Sequence, residues 1–293
     1  MVRKIRNLLL ALLFLAGFGI FTYPIVSNQW NTYRQSRLIA SYEVAVKEMS
    51  EEDFTAEWSA AKAFTSQITQ NNIYADVFGE EAKDTDSKYR RVLNIGNDGI
   101  MGYLSIPKIN VKLSIYHGTK DSVLQTGVGH INGTSLPIGG EGTHSVLAAH
   151  RALPSAELFT NLDQLQEGDV FYIHVLDETL AYEVDRVLPM VEKEDMATLS
   201  SALSIEEGKD YVTLFTCTPY GVNTHRLLVR GERIPFEPTE IADDSIPASA
   251  LVENVTNYYM IYGYAGLIIT LFLILLLRLI LGGKKSKSRK EDI

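Results

Sequence analysis

Residues 213–231 read TLFTCTPYGVNTHRLLVRG and contain the chain's single cysteine, Cys217. Residues 210–217 alternate well enough for a strand, and residues 225–234 do the same. Seven residues, TPYGVNT, join them and predict a hairpin-like connection. Cys217 then closes one strand as Arg226 opens the next, so the two side chains become cross-strand neighbours. A free thiol titrates near pH 8.5, and its thiolate is the nucleophile. A guanidinium beside it lowers the cost of that charge, or supplies hydrogen-bond donors to an oxyanion.

A cysteine nucleophile needs a proton carrier, most often histidine. The six candidates are His117, His130, His144, His150, His174 and His225. His150 is preferred. It ends the apolar run HSVLAAH and precedes RALP, which places it where a buried strand meets a loop. His225 adjoins Arg226, and neighbouring strand residues face opposite sides. No Cys-x-x-Cys or His-x-x-x-His spacing supports a metal site. On residues alone, the cysteine remains a buried small hydrophobe, an intermolecular bridge or a reactive thiol.

Outward from the hairpin, GIMGYLSIPKINVKLSIYHG, HSVLAAH, VFYIHVL and LAYEVDRVLPMV are further short, β-rich runs punctuated by Gly, Pro and Asn. Six or more strands predict a closed barrel or a sandwich. Residues 155–165, SAELFTNLDQL, predict one short helix within it. Upstream, residues 34–70 have helical periodicity, broken where Ser50-Glu51-Glu52-Asp53 forms a capping box. Residues 71–92 have no steady period and predict a long loop. Residues 236–250 form an acidic, proline-containing linker.

Two apolar runs bound this region. Residues 7–26 carry no charge, and residues 262–281 carry only Arg278, which can snorkel to an interface. Arg3, Lys4 and Arg6 precede the first, and a lysine- and arginine-rich tail from Lys284 follows the second. Positive flanks mark the cytoplasmic side, so two spans leave the intervening residues outside the cell membrane. The first run also suits a cleaved signal peptide. Residues 28–260 hold 18 Lys and Arg against 34 Asp and Glu, a net charge of about −16. That balance argues against nucleic acid or anionic lipid as partner.

TLFTC fits the Thr-Leu-x-Thr-Cys signature of sortases, membrane-anchored cysteine transpeptidases of Gram-positive bacteria. TLFTCTPYGVNTHRLLVRG, THSVLAAHRALPSAELFTNLDQL and GYLSIPKINVKLSIYHGT resemble class C, the pilus-assembling sortases. The resemblance covers residues 99–234 densely, and the two-span layout matches as well. It implies a mainly β fold: a closed eight-stranded sortase barrel with short helices, an N-terminal helical segment and two transmembrane helices. The expected organisation is a basic flank and span over 1–28, a helical segment over 29–70 and a lid loop over 71–92. The catalytic barrel over 93–236 follows, then a linker over 237–260, a span over 261–282 and a basic tail over 283–293.

By the same resemblance, Cys217 attacks the Thr–Gly bond of a Leu-Pro-x-Thr-Gly-like sorting signal and forms a thioacyl enzyme. His150 acts as general acid and base, and Arg226 stabilises the oxyanion. The partners are pilin subunits bearing a C-terminal sorting signal, and a lysine of a second pilin is the incoming nucleophile. No cofactor is implied. Class C members resemble one another in a lid with an Asp-Pro-aromatic motif; here the match is Asp76-Val77-Phe78, with Val77 in place of proline. The expectation is that Phe78 covers Cys217 and Asp76 pairs with Arg226. The alternatives are a transpeptidase that anchors proteins to the cell wall and a non-catalytic surface scaffold on the same barrel. No Leu-Pro-x-Thr-Gly-like pentapeptide precedes Tyr262, so the chain is not read as a sorted substrate itself.

Overall fold

A computed structural model describes residues 2–70, 78, 87–236 and 266. Asp76, most of the loop around it, the 237–260 linker, the second apolar run and the basic tail lie outside the described residues.

Helix α1 runs unbroken over Val2–Lys47, with Pro24 inside it. The expected boundary between a span and a separate helical segment near residue 28 is therefore not a break in the helix. Its 18-residue apolar window has a mean hydropathy of 2.2, and Ile5–Lys47 is the one helix among the described residues long and apolar enough to cross a membrane. From Tyr23 onward the chain forms a single compact unit to Phe236. There α1 changes character, because Gln35, Ile39, Tyr42 and Val46 are buried at alternating steps of four and three along one stripe. Ile39, Tyr42 and Val46 pack with Ile100 and Tyr103. The Gln35 amide donates to the Thr126 carbonyl and accepts from the Ser114 amide at 2.9 Å. The Tyr42 hydroxyl donates to the Met101 carbonyl at 3.1 Å and accepts from the Leu176 amide at 2.8 Å.

Helix α2, Glu51–Thr65, starts at the predicted capping box. The Asp53 amide donates to Ser50 Oγ at 3.2 Å, and the Ser50 amide donates back to Asp53 Oδ2 at 3.1 Å. Both otherwise orphaned donors are satisfied. Phe54, Trp58, Ala61 and Phe64 line the face that α2 lays on the barrel.

The strands are β1 Ile100–Ile106, β2 Val111–His117, β3 Val128–His130, β4 Thr143–Ala148, β5 Val170–Val175, β6 Glu178–Glu192, β7 Asp210–Thr218 and β8 His225–Ile234. They close into a barrel in the order β1-β2-β3-β4-β7-β8-β6-β5, which settles barrel against sandwich. Closure removes sheet edges. The β2–β3 and β4–β7 pairs are parallel. Strand β6 shifts register between Leu188 and Val191; Pro189, which has no amide to donate, falls in that gap.

The short helix expected over residues 155–165 is not there. Leu158 has φ of 44°, left-handed and incompatible with a continuing helix. A bridge between Leu153 and Ala156 and a 3-10 turn at Leu162–Gln164 replace it. Phe159 and Leu162 are fully buried by this path. Two helices sit elsewhere: α3, Asp121–Leu124, and α4, Met196–Ala202.

The barrel wall has apolar residues on both faces. Leu147, Val212, Leu214, Leu227 and Val229 fill the interior. Val146, Ala148, Phe215 and Leu228 point the other way, into a second cluster with Leu124 of α3 and Leu199 and Ala202 of α4. Side chains alternate along a strand. Residues two positions beyond Ala148 and Phe215, and two before Leu228, therefore share this outer face.

Candidate active site

Those three positions are His150, Cys217 and Arg226. Cys217 and Arg226 are paired directly across β7 and β8. The parallel β4–β7 ladder ends at Ala148 opposite Phe215, and the Ala149 amide extends it by donating to the Phe215 carbonyl at 3.2 Å. Two residues beyond Ala148 and Phe215 stand His150 and Cys217. Arg226 also pairs with Val191 of β6. The lateral order across one end of the wall is thus His150, Cys217, Arg226, Val191.

Local contacts hold the row in place. Thr216 Oγ1 donates to the Ala149 carbonyl at 2.7 Å, tying the end of β7 to the residue before His150. The Phe159 amide donates to the His150 carbonyl at 3.1 Å. Arg151 is buried and donates from Nε to the Thr160 carbonyl at 3.1 Å, from Nη1 to Thr218 Oγ1 at 3.2 Å and from Nη2 to Asp163. It clamps the segment after His150 to the residue after Cys217.

Cys217 is 5 % exposed and Arg226 2 % exposed. The guanidinium is aimed by its own hairpin: Nη1 donates to the Asn223 carbonyl at 3.1 Å and to the His225 carbonyl at 2.8 Å. The His150 side chain is 21 % exposed, and its Nε2 lies 3.5 Å from Asp121 Oδ1.

Phe78, the aromatic residue of the candidate lid motif, reaches this row. Its ring stacks on Phe215 with centroids 5.6 Å apart and planes 6° apart. It lies 5.6 Å from the His150 ring, and the Arg226 guanidinium sits 5.3 Å from its centroid. A cation over a ring face is attracted by the quadrupole. Asp76, and with it the expected pairing with Arg226, lies outside the described residues.

The remaining histidines serve the framework. His130 accepts from or donates to the Tyr89 hydroxyl at 2.8 Å and faces the Ser135 carbonyl at 2.8 Å. His144 bridges the Ser204 carbonyl at 2.8 Å and Thr213 Oγ1 at 2.7 Å. Burial lowers both to a pKa of about 4. His174 is likewise lowered to about 4 by burial and stacks on Tyr103 at 4.1 Å. His117 faces the Gly99 and Val92 carbonyls. His225 bonds to Thr224 Oγ1 at 2.9 Å. Among the described residues, no group of three or more His, Cys, Asp or Glu is placed to hold a metal ion.

The structure brings Cys217, His150 and Arg226 into one row, with the Phe78 ring against His150 and Arg226. Asp121 and Arg151 are the participants that strand-pattern reasoning does not single out. Asp121 lies in the GTKDSVLQTG segment, whose route beside His150 depends on the very short strand β3.

A family model described as the sortase domain matches residues 104–234. Sortase SrtE2 of Streptomyces coelicolor is 30 % identical over 183 residues, which cover 57 % of this chain and 71 % of that protein. The crystal structure of sortase C1 from Streptococcus agalactiae is 45 % identical, covers 69 % of this chain and all of that one, and superposes with a TM-score of 0.62. The structure titled pilus-related sortase C of Group B Streptococcus is 41 % identical, covers 67 % of this chain and 96 % of its own, and gives a TM-score of 0.60.

Proposed function

The chain belongs to the sortase family, and from that premise we propose that it is a pilus-assembling cysteine transpeptidase with Cys217, His150 and Arg226 as its catalytic groups. The observation that carries the assignment is the side-by-side placement of Cys217 and Arg226 on paired strands, with His150 two residues past the end of the adjoining strand β4.

The Cys217 thiolate attacks the threonine carbonyl of a Leu-Pro-x-Thr-Gly-like sorting signal. Negative charge develops on the carbonyl oxygen, and the Arg226 guanidinium donates to it. Its orientation is already set by the Asn223 and His225 carbonyls, so little reorganisation accompanies the reaction. His150 protonates the departing glycine amine, leaving a thioester on Cys217. A lysine amine of a second pilin then attacks that thioester and gives its proton to His150. Thiolate leaves, and the new bond is an isopeptide.

Phe78 acts as a lid residue, a role supported by its ring contacts with His150, Phe215 and Arg226. The sorting signal displaces it on entry, and Asp76 belongs to the same lid. The apolar run over 262–281 forms a second span, so that both basic ends lie inside and the barrel outside the membrane.

The test is to mix the full chain in detergent with a pilin carrying its sorting signal and to resolve the products under denaturing conditions. Pilin ladders with Thr–Lys isopeptide peptides, absent with Cys217→Ala, support polymerisation. Transfer only to cell-wall-type amines, and never to pilin lysine, overturns it in favour of anchoring.

A further inference from the structure

The imidazole of His150 has a second partner that the reaction as written does not use. Asp121 Oδ1 lies 3.5 Å from His150 Nε2. The other carboxylate oxygen, Oδ2, accepts from the Gln125 side-chain amide at 2.5 Å. One oxygen is thus held from below while the other faces the ring. The presentation is anchored: Asp121 and Leu124 are three residues apart on α3 and share a face. Leu124 is 1 % exposed, among Val146, Ala148 and Phe215. Ala148 and Phe215 each stand two residues ahead of a reacting side chain.

We propose that Asp121 is the positioning residue of His150. This inference rests on the proposed role of His150. The two imidazole nitrogens are distinct, and a carboxylate at one fixes which of them keeps its proton. With Asp121 at Nε2, that nitrogen stays protonated through the cycle and Nδ1 exchanges protons. Nδ1–H goes to the leaving glycine amine as the thioester forms. Nδ1 then takes one proton from the lysine amine as the thioester breaks and thiolate is released, which restores the starting state. A separation of 3.5 Å is long for a hydrogen bond, and such contacts tighten when substrate is bound. The contacts of Asp121 are with His150 and Gln125, so it acts through the ring, as a positioning residue. Its side chain is 76 % exposed, so its charge is heavily screened by water. The expected effect is accordingly orientational and moderate.

The test uses the full chain in detergent with a soluble Leu-Pro-x-Thr-Gly peptide, and Cys217→Ala and His150→Ala as controls. Asp121→Ala lowers kcat about tenfold, leaves KM within about twofold and leaves the melting temperature unchanged. Asp121→Glu regains most of the loss, and Gln125→Leu, which frees Oδ2, lowers kcat to an intermediate value. Unchanged kcat in Asp121→Ala overturns the inference, as does a loss matched by a fall in melting temperature that Asp121→Glu fails to rescue. Loss of the proposed His150 role reads out differently: His150→Ala retains wild-type turnover.

Discussion

Arg226 lies directly across the β7–β8 pair from Cys217, and two backbone carbonyls of its own hairpin hold the guanidinium. A lysine reaches the same region with one charge but lacks the planar fork that engages both carbonyls and an oxyanion together. Arg226→Lys is therefore expected to behave nearly as badly as Arg226→Ala, with turnover falling about 10²–10³-fold in each. Steady-state transfer to a peptide amine measures this. Substantial rescue by lysine would show that charge alone suffices.

Phe78 bridges His150, Phe215 and Arg226 by ring contacts. Ring stacking contributes about 0.5–1.5 kcal/mol and a cation–π contact with a desolvated guanidinium about 2 kcal/mol. Removing both shifts the open state by roughly a hundredfold. Phe78→Ala is expected to speed alkylation of Cys217, the only thiol, by about that factor. Asp76→Ala, in the same proposed lid, is expected to act in the same direction. An unchanged alkylation rate in both variants would remove the lid.

Arg151 ties the chain after His150 to Thr160, Asp163 and Thr218. Its loss leaves a buried hydroxyl and carbonyl short of a donor, which costs about 1–3 kcal/mol. Arg151→Ala is expected to lower the melting temperature and also kcat, because the His150–Cys217 spacing loosens. Thermal scans and turnover measured together check it; full activity at a lowered melting temperature would confine Arg151 to stability.

Three framework histidines make the fold acid-sensitive. His130, His144 and His174 have folded-state pKa values near 4 against an ordinary value of 6.5, because burial penalises the cation. Above pH 6.5 neither state binds the proton. As pH falls from 6.5 towards 4, the unfolded chain takes up protons that the folded chain refuses. Stability then drops by up to about 1.4 kcal/mol per pH unit for each histidine, and this contribution levels off below pH 4. Urea midpoints at pH 7.5, 6 and 5 should fall in that order, and His144→Asn should flatten the trend. Midpoints that stay constant from 7.5 to 5 would contradict the assignment.

What the sequence makes legible is local. The short connection after Cys217, six residues between Thr218 and His225, sets the register of β7 against β8, so the Cys217–Arg226 pair can be read from alternation and spacing. The strand ending at Ala148 marks His150 in the same way, and the Ser50 box marks the start of α2. Phe78 comes into view through family resemblance, since nothing in its own neighbourhood fixes a contact. Other features are decided by tertiary context. Strand β3 has three residues, too few for a period of two to register. The segment around Leu158 has helical composition, yet burying Phe159 and Leu162 and placing the Phe159 amide on the His150 carbonyl requires a left-handed residue. Asp121 meets His150 only because β3 carries the chain back beside β4.

The most direct test of the account is intact-mass analysis of the full chain after brief incubation with a Leu-Pro-x-Thr-Gly peptide. The account predicts a thioacyl adduct whose added mass is that of the peptide truncated after threonine, less one water. It should map to Cys217, vanish on adding hydroxylamine, and be absent in Cys217→Ala. No adduct in the wild-type chain, with the lid opened by Phe78→Ala as well, would contradict a cysteine transpeptidase centred on Cys217.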